Sequence, residues 1–279
     1  MIRASAGVEE VNGAIRLVWM LLLVPMLVLI SAWLMQIDGH SVDLDAVFAG
    51  ISSAHPLGTD ALGRDLLARL AEGLQLSLTV GVAVISIGGV IGIFIGIVAA
   101  WLGGWADSLL MRVADIVLSF PGILLAIALA AMLGPGVENL ILALVAVGWV
   151  GFSRLARAQV LVLKHAPFIE ASQASGSTAS YIAIKHLLPN IAAPLLVEAS
   201  FGLAAVIIGE AGLSFLGVGV QPPNASLGTM IREGTSLMLV EPMLVIWPGL
   251  ILFMLVMAVN LLGDCLRDRL DVKAMDRHV

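Results

Sequence analysis

KHAPFIEASQASGSTASYIAIKHLLPNIAAP, Lys164 to Pro194, lies between two long apolar runs, yet it is rich in Ser, Ala and Gly and carries Lys164, Glu170, Lys185 and two histidines. So many polar groups cannot form bilayer core, where each must find a partner inside the protein. The stretch therefore reads as a loop between membrane spans. Pro167 opens a helix and Glu170 falls in its first turn, where a carboxylate meets the positive helix end. Gly176 permits a sharp break, and Tyr181 to Leu188 forms a second short helix stopped by Pro189. Two short helices meeting at a glycine make a compact knob. An amphipathic loop of this kind can seal its own helices or receive another protein, and the motifs around it must decide which.

Outside the knob the chain is strongly apolar: 60% of residues are hydrophobic, 12% are charged and mean hydropathy is +1.06. Those values describe a polytopic all-α membrane protein, not a soluble domain. Runs long enough to cross a bilayer, about 20 residues each, fall near 16–37, 76–102, 113–133, 138–162, 191–213 and 243–263. Six spans put both termini on one side. With a cytoplasmic N-terminus, eleven of the fourteen Lys and Arg are inside: Arg3, Arg16, Arg112, Arg154, Arg157, Lys164, Lys185, Arg267, Arg269, Lys273 and Arg277. Arg64, Arg69 and Arg232 are left outside, so the positive-inside rule favours cytoplasmic termini and a cytoplasmic knob. The run after Arg16 is too long for a signal peptide and reads as an uncleaved first span with a kink at Pro25.

The single cysteine, Cys265, excludes an internal disulfide. A net charge of −6 with scattered basic residues gives no reason to expect nucleic acid. No G-x-x-x-x-G-K-[ST] phosphate loop occurs, so ATP is not held by this chain on the usual mechanism. His165 and His186 lack a third ligand at metal-site spacing. GLSFL at 212–216 starts like a nucleophile elbow but ends on Leu216, and the sheet such an elbow needs is missing. Neither a catalytic nor a metal site is therefore expected.

Along the chain, HPLGTDALGRDLLARL at 55–70 has Thr59 as an N-cap candidate and Asp60 in the first turn. Leu62, Leu66, Leu67 and Leu70 share one face, which predicts an amphipathic helix at the outer membrane surface. Gly88, Gly92 and Gly96 recur at intervals of four and mark a helix-packing face. SFPG at 119–122 interrupts the third span, as a hinge or a static kink. Arg154 and Arg157 share a helical face at the cytoplasmic edge, with lipid headgroups or acids of a partner as counter-charges. Glu198 and Glu210 lie in the fifth span, where a carboxylate must face protein or water. They line a polar pathway or make interhelical hydrogen bonds. Glycine-rich EAGLSFLGVGVQPPNASLGTMI, 210–231, with Ser214, Phe215 and Gly217, is the candidate outer gate: a short or re-entrant helix followed by an outer loop. In the last span Asn260 bonds to a neighbouring helix. Asp264, Arg267, Asp268, Arg269 and Asp271 at its end are spaced for salt bridges along the helix.

The knob resembles the cytoplasmic EAA coupling loop of ABC-importer permease subunits, with Glu170-Ala171, Gly176 and Leu188-Pro189 at matching distances. Ser172 stands where a second alanine is usual and His186 where an isoleucine is usual. HPLGTDxxGRD at 55–65, the LSFLG-x-G-x-QPP stretch within 210–231 and WPGL…NLLGD-x-LRD-x-LD at 247–271 are similar to signatures of the C-type subunit of dipeptide, oligopeptide and nickel permeases. These matches cover most of the chain from residue 55 onward.

The resemblance implies a type I importer permease of about six spans. Residues 1–75 form an N-terminal span with an outer amphipathic segment, and 76–279 the permease core with its coupling loop at 164–190. It implies a heterodimer with a B-type permease, one or two ATPase subunits holding ATP and Mg, a solute-binding protein, membrane lipid around it, and a place in a bacterial or archaeal inner membrane. Glu170 would position the first coupling helix, Gly176 would let the ATPase approach closely and Pro189 would fix the exit into the fifth span, with Ala171, Ser172, His186 and Leu188 completing the contact. The cargo would be a di- or oligopeptide, or nickel or a metal chelate. Of another class is a proton-driven secondary transporter with Glu198 or Glu210 as relay.

Overall fold

The computed structural model describes residues 2–36 and 38–275, with side chains for 15–36 and 38–270. Ile37, Arg277 and the side chains of Arg3, Asp271 and Lys273, all used in the sequence reading, lie outside these. The elements are α1 (Ile2–Met35), a short 3-10 turn (Leu44–Ala46), α2 (Leu66–Leu102), α3 (Gly104–Leu118), α4 (Gly122–Leu133), α5 (Val137–Leu163), α6 (Pro167–Ala174), α7 (Ala179–Ile182), a π turn (Ala183–Leu187), α8 (Leu188–Phe215), α9 (Leu227–Thr235) and α10 (Met243–Met275). Among the described residues there is no strand. Five stretches are long and apolar enough to cross a membrane, within α1, α2, α5, α7 to α8, and α10. The expected third span is instead the pair α3 and α4, bent by 85° at the SFPG break. Pro121, which has no N–H to donate, precedes α4 with extended ψ 122°, and the helix restarts at Gly122.

α2 and α5 are the most closely packed pair. A Cβ on Gly92 would stand 2.2 Å from Trp149 O, and one on Gly96 2.4 Å from Ser153 O. The glycine face thus puts backbone against backbone, and dispersion between close-packed helices replaces the hydrophobic drive that lipid does not supply. α8 packs on α2, α5 and α10, while α1 packs on α10 and α2. The core has three successive layers along α2. The first joins Leu66 to Leu74 with α9 and α10, the second joins Val80 and Val84 with α4, α5 and α8, and the third joins Ala100 with α5 and the knob.

Two expectations fail at the start of α2. Residues 59–65 are irregular, and the helix starts at Leu66 with Asp65 as N-cap, its carboxylate accepting from Ala68 N at 2.9 Å. Thr59 instead accepts from Ala49 N at 2.8 Å and donates to Ala46 O. Leu66, Leu67 and Leu70 are buried, so the predicted surface helix is the first turns of a span that starts at Leu66 rather than at 76. The leucine face seats on α9 and α10 instead of lipid because the charges opposite it are neutralised within the protein. At the other end of the chain, no ion pair within 4.0 Å links Asp264, Arg267, Asp268 and Arg269.

Candidate functional site

The knob is rooted by apolar side chains. Ile169 of α6, Ile182 of α7 and Leu187 of the π turn are fully buried against Val160, Ala156 and Ile191. Pro167 occupies the first turn of α6, and Glu170 is exposed on its outer side. The helix ends in a left-handed turn at Gly176, φ +81°, with Gly176 N donating to Gln173 O at 2.9 Å and Ser177 N to Ser172 O at 3.1 Å. Thr178 caps α7 by accepting from Tyr181 N at 3.3 Å. A Cβ on Gly176 would meet no atom within 4 Å, so the glycine is required by backbone conformation and not by crowding inside this chain.

The exit from the knob differs from the reading above. Pro189 does not stop a helix; it sits in the first turn of α8, where its missing N–H leaves no gap. The π turn joins α7 to α8, with Leu188 N reaching back five residues to Ala183 O. Asn190 Nδ2 donates to His186 O at 2.7 Å. Leu187, not Leu188, is the buried anchor. The half-buried His186 ring packs between Phe168, centroids 6.1 Å apart, and the edge of Tyr181 at 5.8 Å. Ala171 and Pro189 are exposed, while Ser172 is half-buried.

Arg154 and Arg157 both find counter-charges within the chain. Arg154 pairs with Asp115, and Arg157 Nη2 donates to Asp107 Oδ2 at 2.6 Å, so α3 is clamped to α5 just above the knob.

At the end of the molecule where α2 begins and α9 packs, the chain builds a largely buried charge cluster. Asp60 Oδ2 accepts from Arg64 Nε at 2.7 Å and Arg69 Nη1 at 2.6 Å, and Glu233 of α9 accepts from the same two arginines at 3.3 and 3.0 Å. His55 Nδ1 lies 2.9 Å from Asp65, the helix cap. Sequence reasoning placed these residues on a polar helix face and missed the cluster. The available signal was that the orientation expected from the sequence leaves Arg64 and Arg69 among its three exceptions.

Glu210 is fully buried and both its oxygens are occupied, by Ser77 Oγ of α2 at 2.6 Å and Ser214 Oγ at 2.9 Å. Ser214 Oγ accepts from Val220 N at 3.2 Å, tying the loop after α8 to the same point. Glu210 thus joins helices and lines no open path in this arrangement. Glu198 is half-buried, its Oε1 2.5 Å from where a Cβ of Gly151 would stand. Twelve residues, about 18 Å along the helix, separate the two acids, so the structure does not bring them together. The 210–231 stretch is the end of α8, a loop, and the start of α9, capped by reciprocal Ser226 and Thr229 bonds, so the short helix follows the loop rather than preceding it. A Cβ on Gly228 would stand 2.1 Å from Ala211 O, so α9 lies directly on α8. Phe215 is partly exposed beside Gly217, which turns the chain at φ +84°.

A family model for the binding-protein-dependent transport system inner membrane component matches residues 92–275, which include the knob, α8 and α10. The chain belongs to that family. Among curated relatives it is 41% identical over 256 residues to the glutathione transport system permease protein GsiD of Pectobacterium atrosepticum, covering 90% of this chain and 85% of that one. It is 40% identical over 244 residues to GsiD of Escherichia coli O6:K15:H31, covering 87% and 80%. A chain of the MetNI methionine ABC transporter, in an inward-facing crystal form, superposes with a TM-score of 0.57 at 21% identity, covering 70% of this chain and 93% of that one. That likeness speaks to the fold alone. This permease is accordingly a multi-pass inner membrane subunit of an ABC importer.

Proposed function

We propose that this permease carries small peptides, glutathione-like tripeptides among them, across the inner membrane together with a B-type permease, and that its α6–α7 knob receives the stroke of an ATPase subunit. Its termini and knob face the cytoplasm, as the eleven-to-three distribution of Lys and Arg favours. ATP and Mg are held by the ATPases, and an extracytoplasmic binding protein selects the cargo. The peptide reading draws on the glutathione systems named for its relatives.

The observation that carries the coupling role is the polarity of the knob. Its root is fully buried, while Phe168, Glu170, Gly176 and Tyr181 are exposed. A loop that merely sealed its own helices would turn such side chains inward. The rigid continuation of α7 through the π turn into α8 then passes motion towards Glu210, Ser214 and the outer gate.

Gly176→Asp tests this in proteoliposomes holding the complete importer. A Cβ at this position meets no atom of the chain but is strained at φ +81°, so Gly176→Ala, which shares the strain without the charge, is the control: at equal expression the aspartate variant loses uptake beyond it while ATP hydrolysis continues. Normal uptake by the variant would refute the coupling role. The cargo is read separately, by mass spectrometry of the ligand retained on the co-purified binding protein.

A further inference from the structure

The two carboxylates of α8 differ in one respect. Glu210 is bonded to Ser77 and Ser214, whereas Glu198 has no hydrogen bond and no ion pair within 4.0 Å among the described residues. Its Oε1 lies 2.5 Å from where a Cβ on Gly151 would stand, so the carboxylate rests against the bare backbone of α5. Gly151 follows Val137 by fourteen residues and precedes Leu163 by twelve, about 21 and 18 Å at 1.5 Å per residue. The carboxylate therefore stands halfway along a span, beyond the reach of a protein that stays on either side of the membrane.

Its surroundings are open. Gly151 is itself exposed and Glu198 is half-buried. Within two turns on the same helix faces, the exposed residues are Arg154 and Ala158 of α5 and Ala205 of α8. Other sides of the bundle expose large apolar side chains, such as Leu23, Val82, Phe94 and Phe253. An uncovered carboxylate at this depth is costly against lipid, so the face that carries it turns to water or to a polar solute. The nearby arginines of α5 are held by Asp115 and Asp107, which leaves the charge of Glu198 uncancelled. A helix of a second permease could pack on the small residues with no carboxylate present, whereas a solute bearing a cation has a use for one.

We infer that Glu198 receives the α-ammonium of a peptide halfway through its passage, a specificity-determining contact that rests on the peptide cargo proposed above. An ammonium offers three N–H donors, and a carboxylate accepts them at charge-assisted strength. A cation is least stable at the middle of a span, and Glu198 offsets that penalty at the point where it is largest. Gly151 leaves room for the carboxylate, since a side chain there would displace it.

The test uses proteoliposomes holding the complete importer, with radiolabelled glutathione or trialanine as cargo. A water-soluble carbodiimide, added during turnover, condenses a carboxylate with an amine in contact with it and takes up the water lost. The expected result is an amide between the peptide amine and Glu198, mapped by mass spectrometry. Glu198→Gln, equal in size and uncharged, should abolish that adduct and slow uptake about tenfold, the order of one charge-assisted hydrogen bond. Glu198→Asp should recover most of the rate, and Gly151→Ala, which moves the carboxylate aside and keeps its charge, should fall between. Normal uptake by Glu198→Gln overturns the site. A slowed Glu198→Gln that Glu198→Asp does not relieve, with no adduct on Glu198 in the unaltered protein, overturns it too and assigns the residue to packing between subunits. An unaltered importer that carries neither peptide refutes the peptide cargo itself, before any variant is compared.

Discussion

The charge cluster beside α9 and the knob at the opposite end of α2 are both built from short irregular stretches beside long helices, yet they dispose of their polar groups in opposite ways. At the α9 end Asp60, Arg64, Arg69, Ser77, Glu210 and Ser226 are buried and bonded to one another or to neighbouring backbone. In the knob the buried groups are Ile169, Ile182 and Leu187, while Glu170, Gln173 and Lys185 are exposed. Burying charge without a partner is costly, so the residues at the α9 end are accounted for by folding itself. The outward residues of the knob are not drawn into such a network, and the coupling role proposed above gives them a use.

That contrast predicts a graded series, from folding defects without specificity to functional defects without folding cost. Arg69→Ala should have the largest effect. It strips Asp60 and Glu233 of a nearly fully buried cation, and breaking a buried pair in this way costs about 3–5 kcal/mol, visible as a large fall in thermal midpoint and yield in detergent. A midpoint close to that of the unaltered protein would erase the distinction between the two regions. Gly228→Ala forces a Cβ onto the backbone of Ala211, and such overpacking costs about 1–3 kcal/mol. The same melt should rank it below Arg69→Ala.

Arg154→Ala removes an ion pair whose side chains are 50% and 59% exposed, and pairs of this kind contribute at most about 1 kcal/mol. A larger drop would mean that the α3 to α5 clamp carries more of the fold than its exposure suggests. Tyr181→Ala should be the mildest in the melt, within about 0.5 kcal/mol as for other surface changes. It should still lower peptide uptake in the full importer severalfold, because half of that side chain faces away from the chain. Full uptake would shift the coupling surface elsewhere on the knob.

Much of this arrangement was legible in the sequence where one residue type has one physical use. Gly88, Gly92 and Gly96 at intervals of four announced a close helix pair, and α5 fills that face. Pro167 and Gly176 marked the start of α6 and its sharp end, and both stand there. Pro189 misled because proline is compatible with either a stop or a first turn, and only the π turn behind it decides between them. Leu62 to Leu70 misled because periodicity cannot tell a lipid-facing stripe from one that seats on protein. The arginine cluster was hidden for a related reason, since its partner Glu233 is more than 160 residues away in sequence.

The central claim is that the outer side of the knob is held by an ATPase subunit. Its most direct test is a cysteine at Ser175, in a chain whose buried Cys265 has been replaced, treated with a short bifunctional thiol reagent in the assembled importer with and without ATP. The account predicts a covalent adduct with the nucleotide-binding subunit whose yield changes on adding ATP. Adducts confined to this chain or to lipid, in an importer that still takes up its cargo at the normal rate, would contradict it.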